Sequence, residues 1–85
     1  MSKQRKNAMA DIIRDTALKD INEALKEDAG TRLELQRSGV IKPPSRATYN
    51  IAVIKLEDNS HVCNVCETLT INEIQIFLQG FQAAL

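Results

Sequence analysis

The sequence lacks tryptophan and contains a single histidine and only three aromatic residues, one tyrosine and two phenylalanines. It also lacks net charge, because eleven basic side chains balance eleven acidic ones, so no global field would draw the protein to nucleic acid or to an anionic membrane. Its longest apolar run, Ile51 to Ile54, is far too short to cross a bilayer. The basic amino terminus has neither the apolar core nor the cleavage site of a secretory signal. We therefore expect a cytoplasmic protein with no membrane partner.

Sequence patterns that carry common enzyme chemistry are also missing. The three glycines form neither a phosphate-binding loop nor a dinucleotide-binding fingerprint, and no paired carboxylates occur in a recognisable frame. His61 has Asp58 nearby in sequence as an orienting group, but no nucleophile is identifiable for it to activate. We expect no enzymatic activity, no cofactor and no small-molecule substrate.

His61, Cys63 and Cys66 form the only cluster of soft metal ligands in the sequence. A structural zinc site needs four ligands and normally holds its CxxC pair in a tight turn, whereas these cysteines lie in a predicted strand. The preferred interpretation is that both are free thiols that serve as small packing residues, because nothing in the chain indicates export. Zinc binding would require a dimer or another local conformation, and redox chemistry would require an activated thiol. We expect no metal site.

Eighty-five residues are enough for one small domain, which would bury about 60–65% of its unfolded surface. We predict a single domain over 1–85 with a frayed start at 1–7. A long helix begins near Ala8 and ends at Gly30, and Thr31 with Glu34 has the spacing of a capping box for a short second helix ending at Ser38. The alternative is one continuous helix that tolerates Gly30. The predicted buried face comprises Met9, Ile13, Ala17, Ile21, Leu25 and Ala29.

The middle of the chain predicts a β-hairpin. Residues 39–48 contain Pro43 and Pro44 and are predicted to be a connector, because no helix can continue through them. Residues 49–56 are rich in β-branched side chains and read as a strand, and residues 61–67 return as a second strand after a turn at 57–60. A two-residue turn would place Leu56 opposite His61, Ile54 opposite Cys63 and Val53 opposite Asn64. Both faces of the first strand are largely apolar, so each needs cover, and one arrangement places the first helix on one face and the last helix on the other.

The last helix has the clearest signal. Thr70 and Glu73 form a capping box, and Leu69 with Ile74 has the spacing of a hydrophobic staple. The apolar stripe that follows consists of Ile71, Ile74, Phe77, Leu78, Phe81 and Leu85. A smaller apolar strip formed by Ile76, Gly80 and Ala83 lies outside this stripe, and we predict it as a partner-binding surface.

These elements predict a small α+β domain in α-α-β-β-α order, with a two-stranded antiparallel hairpin packed against helices. A lone hairpin has open edges, which favours a protein partner or a second copy of the chain. The preferred function is a non-enzymatic protein-binding or regulatory module, an inhibitor or adaptor. Proteins of this kind are common among accessory genes of phages and mobile elements, and we expect such an origin.

The alternative function is nucleic-acid binding through a locally basic segment. Residues 11–30 carry six acids against three bases, whereas residues 31–55 carry five bases and one acid. The candidate contacts are Arg32, Arg37, Lys42 and Arg46. Few aromatic residues are available for stacking on bases, so this alternative ranks below a protein partner.

Overall fold

The computed structural model describes residues 8–84, which form a small α+β domain. The elements in chain order are α1 (Ala8–Asp15), α2 (Ala17–Asp28), β1 (Thr31–Lys42), β2 (Arg46–Lys55), β3 (His61–Leu69) and α3 (Ile71–Ala84). The strands form an antiparallel sheet in the order β1-β2-β3. The predicted α+β class is confirmed, but the predicted two-stranded sheet is wrong. The prediction that residues 1–7 are frayed falls outside the described residues.

The third strand, β1, replaces the predicted short second helix. Helix α2 ends at Asp28, and Gly30 has a φ of +66°, so the helix does stop before β1 and the continuous-helix alternative is wrong. The expected capping box at Thr31 does not form. Glu34 instead accepts hydrogen bonds from Arg32 and Gln36, two residues away on either side. The segment forms a strand and not a capped helix because Leu33 and Leu35 alternate with polar residues. This alternation places both leucines on the buried face when β1 pairs with β2.

The predicted connector at 39–48 is also wrong, because most of it belongs to the β1–β2 hairpin. The ladder is regular from Thr31 opposite Lys55 to Arg37 opposite Tyr49, and it resumes with Ile41 opposite Ala47. The two prolines occupy the turn, where no ladder hydrogen bond is required of them.

The β2–β3 hairpin forms close to where the sequence placed it, but its predicted register is wrong. Ile54 lies opposite His61, Val53 opposite Cys63 and Ala52 opposite Asn64. The connection is longer than two residues, and the Asn59 amide donates to the carbonyl of Lys55. Further along the ladder β3 contains extra residues, so its register drifts against β2.

All three helices contribute to a core on one face of the sheet. The buried residues of this core are Ala10, Ile13, Leu18, Ile21, Leu33, Leu35, Tyr49, Ile51, Ile74 and Leu78. The arrangement with the first helix on one face and the last helix on the other is therefore wrong. The reason is that α1 and α2 lie beside α3, so the three helices bury one another's apolar stripes as well as the sheet.

Within residues 8–84, no helix lies on the opposite face of the sheet, yet Ala52 and Ile54 are buried there. Ala52 is small and lies between Glu34 and Asn64, and Ile54 lies between Arg32 and His61. Long polar side chains cover apolar surface with their stems while keeping their polar ends in water. We attribute the burial of Ala52 and Ile54 on this face to the polar side chains of the neighbouring strands.

The first helical segment is broken at Thr16, a feature that the sequence patterns did not indicate. Thr16 has φ −120° and ψ −88°, and its hydroxyl donates to the carbonyl of Ile12. Ala10 and Leu18 are buried although they lie outside the predicted stripe. Ile13 and Ile21 are buried as predicted, whereas Met9 is 39% exposed.

Helix α3 forms as the sequence predicted. The Thr70 amide donates to the Glu73 carboxylate at 2.8 Å, and the Glu73 amide is 3.4 Å from the Thr70 hydroxyl. Ile74 and Leu78 are buried, while Ile71, Phe77 and Phe81 are partly buried against the same core. Leu85 lies beyond the described residues. Over residues 8–84, no helix has the length and apolar character needed to cross a membrane.

Candidate interaction surfaces

The end of the β1–β2 hairpin is shaped by a small hydroxyl network. Thr48 is almost fully buried, and its hydroxyl donates to the carbonyl of Val40 at 2.6 Å and contacts the Ser38 hydroxyl. Ser38 in turn accepts from the Val40 amide at 3.1 Å. Gly39, with φ +85°, supplies the left-handed backbone at the irregularity between Arg37 and Ile41. The network therefore holds a bulge that sets the direction of the hairpin end.

Beyond this bulge the hairpin exposes two adjacent aliphatic residues, Val40 at 47% and Ile41 at 57%. The same segment of the chain contains Arg37, Lys42 and Arg46, and no acidic residue occurs anywhere between positions 35 and 56. Lys42 forms an ion pair with Glu73 at 3.3 Å, which ties the hairpin to the start of α3. We call residues 37–46 the hairpin end. It combines exposed apolar surface with a local excess of positive charge.

The four predicted basic contacts do not form a single surface. Arg37 lies on the helix side of the sheet, with its guanidinium 5.7 Å from the centre of the Tyr49 ring, an arrangement in which a cation interacts with an aromatic face. Arg32 lies on the opposite face and forms an ion pair with Glu34 at 2.8 Å. Hydrogen bonds from Gln36 and Arg32, in that order, lower the pKa of Glu34, so this acid remains charged beside Arg32. Arg37, Lys42 and Arg46 belong to the hairpin end, and Arg32 is separate from them.

The outer edge of β1 is closed by side chains from the helices. The Asn22 amide donates to the Leu33 carbonyl at 3.1 Å and accepts from the Leu33 amide at 2.6 Å, so it pairs with the backbone as a neighbouring strand would. Arg14 donates to the Leu35 carbonyl at 3.1 Å. Edge strands are commonly protected in such ways against pairing with another chain. The sequence patterns did not indicate this function for Asn22 or Arg14, because it depends on where α2 crosses β1.

The outer edge of β3 is protected differently. Three irregularities in its pairing with β2 each place an extra residue in β3, and Thr68 has a φ of +58°. Bulges of this kind twist an edge away from flat pairing with another strand. Neither edge of the described sheet is therefore a regular, open template for pairing with another strand.

The predicted strip on α3 is exposed. Ile76 is 70% exposed, and Gly80 and Ala83 are also exposed. On another side of α3, a groove of about 200 Å³ separates it from the break between α1 and α2. Ile13 and Leu78 line this groove but are almost fully buried, and Ala17 is partly buried. Its remaining lining residues are Ile12, Thr16, Gln75, Gln79 and Gln82.

His61 and the two cysteines do not converge on a common point. His61 contacts the Asn64 side-chain oxygen at 2.9 Å, and Asp58 instead accepts from the Ser60 amide and hydroxyl. Both cysteines are free thiols, with Cys63 exposed and Cys66 partly buried. Burial raises the pKa of Cys66, the opposite of what an activated thiol requires. Among residues 8–84, no group of three or more His, Cys, Asp or Glu side chains is placed to hold a metal ion.

No protein-family model, no curated protein and no solved structure matches this chain significantly.

Proposed function

We propose that this chain is a small non-enzymatic protein-binding module, an inhibitor or adaptor that acts in the cytoplasm by occupying a surface of another protein. The observation that carries this proposal is the hairpin end, where the consecutive residues Val40 and Ile41 are both exposed and the same short segment carries three basic residues. Protein interfaces typically combine an apolar centre with a polar or charged rim. The hydroxyl network at Thr48 holds this surface in one conformation, which lowers the entropy cost of binding.

Nucleic-acid binding is the second candidate, and the absence of acidic residues between 35 and 56 is the observation that favours it. Several features make it the weaker one. Arg32 lies on the opposite face of the sheet from Arg37, and the only aromatic residue of the hairpin, Tyr49, is 2% exposed and so offers no face to a base. Exposed aliphatic residues also suit a protein surface better than a phosphate backbone. Salt-dependent binding of duplex or single-stranded oligonucleotides would favour this candidate.

The test is site-specific photo-crosslinking in extract of the source organism. A crosslinker at Ile41 should capture a defined protein, whereas one at Glu57, in the turn at the other end of β2, should not. Replacing Val40 with Ser and Arg46 with Glu should remove the crosslink, because these changes alter exposed side chains of the hairpin end. A crosslinking pattern that is the same at both positions, or that survives the substitutions, would contradict the proposal.

A further inference from the structure

We infer that the hairpin end binds the α1–α3 groove of a second copy of this chain, forming a symmetric dimer in which each copy supplies one hairpin end and one groove. This inference rests on the proposed function and names a partner for the same surface. The hairpin end is an exposed apolar surface with basic neighbours, and the α1 side of the groove is an exposed apolar surface with acidic neighbours. The chain contains both.

The groove side has the complementary chemistry. Ile12 lines the groove and is 52% exposed, and Met9, one turn earlier on α1, is 39% exposed. Asp11 and Asp15 are exposed on the same short helix. Among the described residues, Asp11 forms an ion pair with Arg14 at 3.2 Å, and exposed pairs of this kind contribute little to stability. The α1 side of the groove therefore offers aliphatic surface beside carboxylates.

The distribution of exposed apolar residues supports this pairing. The described residues include seven exposed large hydrophobic side chains, and two of them belong to the hairpin end and two to α1. The whole chain has no net charge, so charge repulsion does not keep copies apart, while its acidic and basic segments are separated along the sequence. Binding of the hairpin end to the groove of a second copy would cover exposed apolar residues of both surfaces. It would also bring acidic and basic segments together.

Twofold symmetry doubles the contact without requiring new surface. A specific interface needs about 1,000 Å² of total buried area, so two equivalent contacts would need about 250 Å² from each of the four surfaces involved. The reciprocal arrangement forms a closed dimer, and closed symmetry of this kind is usual for homo-oligomers. It does not generate a filament. Ile41 lies opposite Ala47, whose side chain packs against the core, so Ile41 faces the side of the sheet on which the helices lie. The next pair, Lys42 and Arg46, starts from the other face, but the Lys42 ammonium contacts Glu73 at the start of α3 and so also reaches the helix side.

Charge reversal tests this arrangement by sedimentation velocity over a range of protein concentrations at low salt. The wild type should shift from monomer to dimer as concentration rises. A Lys42→Glu/Arg46→Glu variant should remain monomeric, and so should an Asp11→Lys/Asp15→Lys variant, because like charges then meet in both contacts. An equimolar mixture of the two variants should dimerise again, since each hairpin end then meets a groove of opposite charge.

The matched control is Lys26→Glu/Lys55→Glu, which makes the same change in charge at exposed positions near the other end of the hairpin and should dimerise like the wild type. Circular dichroism should show that every variant is folded, and Arg46→Glu alone, which leaves the Lys42–Glu73 ion pair intact, should weaken the dimer in the same direction. A wild type that stays monomeric, variants that dimerise normally, or a mixture that fails to recover would each overturn the inference.

Failure of the dimer can be separated from failure of the proposed function. A monomeric wild type that still crosslinks another protein through Ile41 would overturn the dimer and leave the binding module standing. A dimer that passes the charge-reversal test, with no other protein captured through Ile41, would support the dimer and overturn the inhibitor or adaptor role.

Discussion

Removal of the Asn22 side chain should destabilise the fold more than removal of any other exposed or partly buried polar side chain of the helices. The reason is that the side-chain amide of Asn22 completes the edge of the sheet. It makes two hydrogen bonds with the backbone of Leu33, at 3.1 and 2.6 Å. Each lost bond costs about 1 kcal/mol when water can partly replace it, as it can in the open cleft beside Asn22. Alanine recovers a fraction of this through its higher helix propensity, up to about 0.7 kcal/mol.

We therefore expect Asn22→Ala to lower the free energy of unfolding by roughly 1.5 kcal/mol, after about 2 kcal/mol of lost hydrogen bonding and a partial gain in propensity. For a domain of this size each kcal/mol corresponds to about 4–8 °C in Tm, so the Tm should fall by about 6–12 °C. Urea unfolding monitored by circular dichroism measures the free energy. Hydrogen exchange should show that the Leu33 amide loses protection.

The matched control is Asn72→Ala, the same substitution at an exposed position of α3, which should change stability by no more than about 0.5 kcal/mol. A free energy of unfolding for Asn22→Ala within about 0.5 kcal/mol of the wild type, together with a Leu33 amide that remains protected, would show that the edge does not depend on Asn22.

Three further predictions concern the cap, the bulge and the glycines. The Thr70 amide first, and then Lys42, hold the pKa of Glu73 below its ordinary value of 4.5, so the stabilisation by this carboxylate is present at neutral pH and lost as the pH falls through the lowered pKa. An NMR titration of Glu73 should therefore give a midpoint below 4.5, and an unshifted midpoint would contradict the capping geometry. Thr48→Val should cost about 1–3 kcal/mol in chemical denaturation, because the Val40 carbonyl loses its donor, whereas Thr48→Ser keeps the hydroxyl and should cost less. Gly80→Ala should raise stability by about 0.5–1 kcal/mol, since helical Gly80 has open space around it, while Gly39→Ala should lower stability by about 1–2 kcal/mol because its φ is +85°. Thermal unfolding that ranks these two variants in the reverse order would show that backbone conformation does not govern them.

The parts of the fold that the sequence predicted correctly depend on contacts between residues close in the chain. The cap of α3 joins Thr70 to Glu73, and the buried stripe that starts at Ile74 follows helical spacing. The helix stop before β1 depends on Gly30 alone. At these positions no strand pairing competes with the local pattern.

The strand β1 shows the limit of such patterns. Thr31 and Glu34 have the spacing of a helix cap, and the same stretch also alternates Leu33 and Leu35 between polar residues. Pairing with β2 decides between helix and strand, because it places Leu33 opposite Val53 and Leu35 opposite Ile51 and both leucines are buried. The hairpin end also depends on this long-range pairing, because Val40 and Ile41 share one surface region with Arg46 only when β1 pairs with β2.

The sequence by itself determined the α+β class, the cap and buried stripe of α3, and the absence of familiar catalytic motifs, because each depends on residue type and short-range spacing. Tertiary structure alone decided that the sheet has three strands, that all helices lie on one of its faces, and that Asn22 closes its edge. It also separated Arg32 from Arg37 by placing them on opposite faces. These features depend on which segments meet in space, and pairing between distant segments leaves no mark on the short-range pattern of either one.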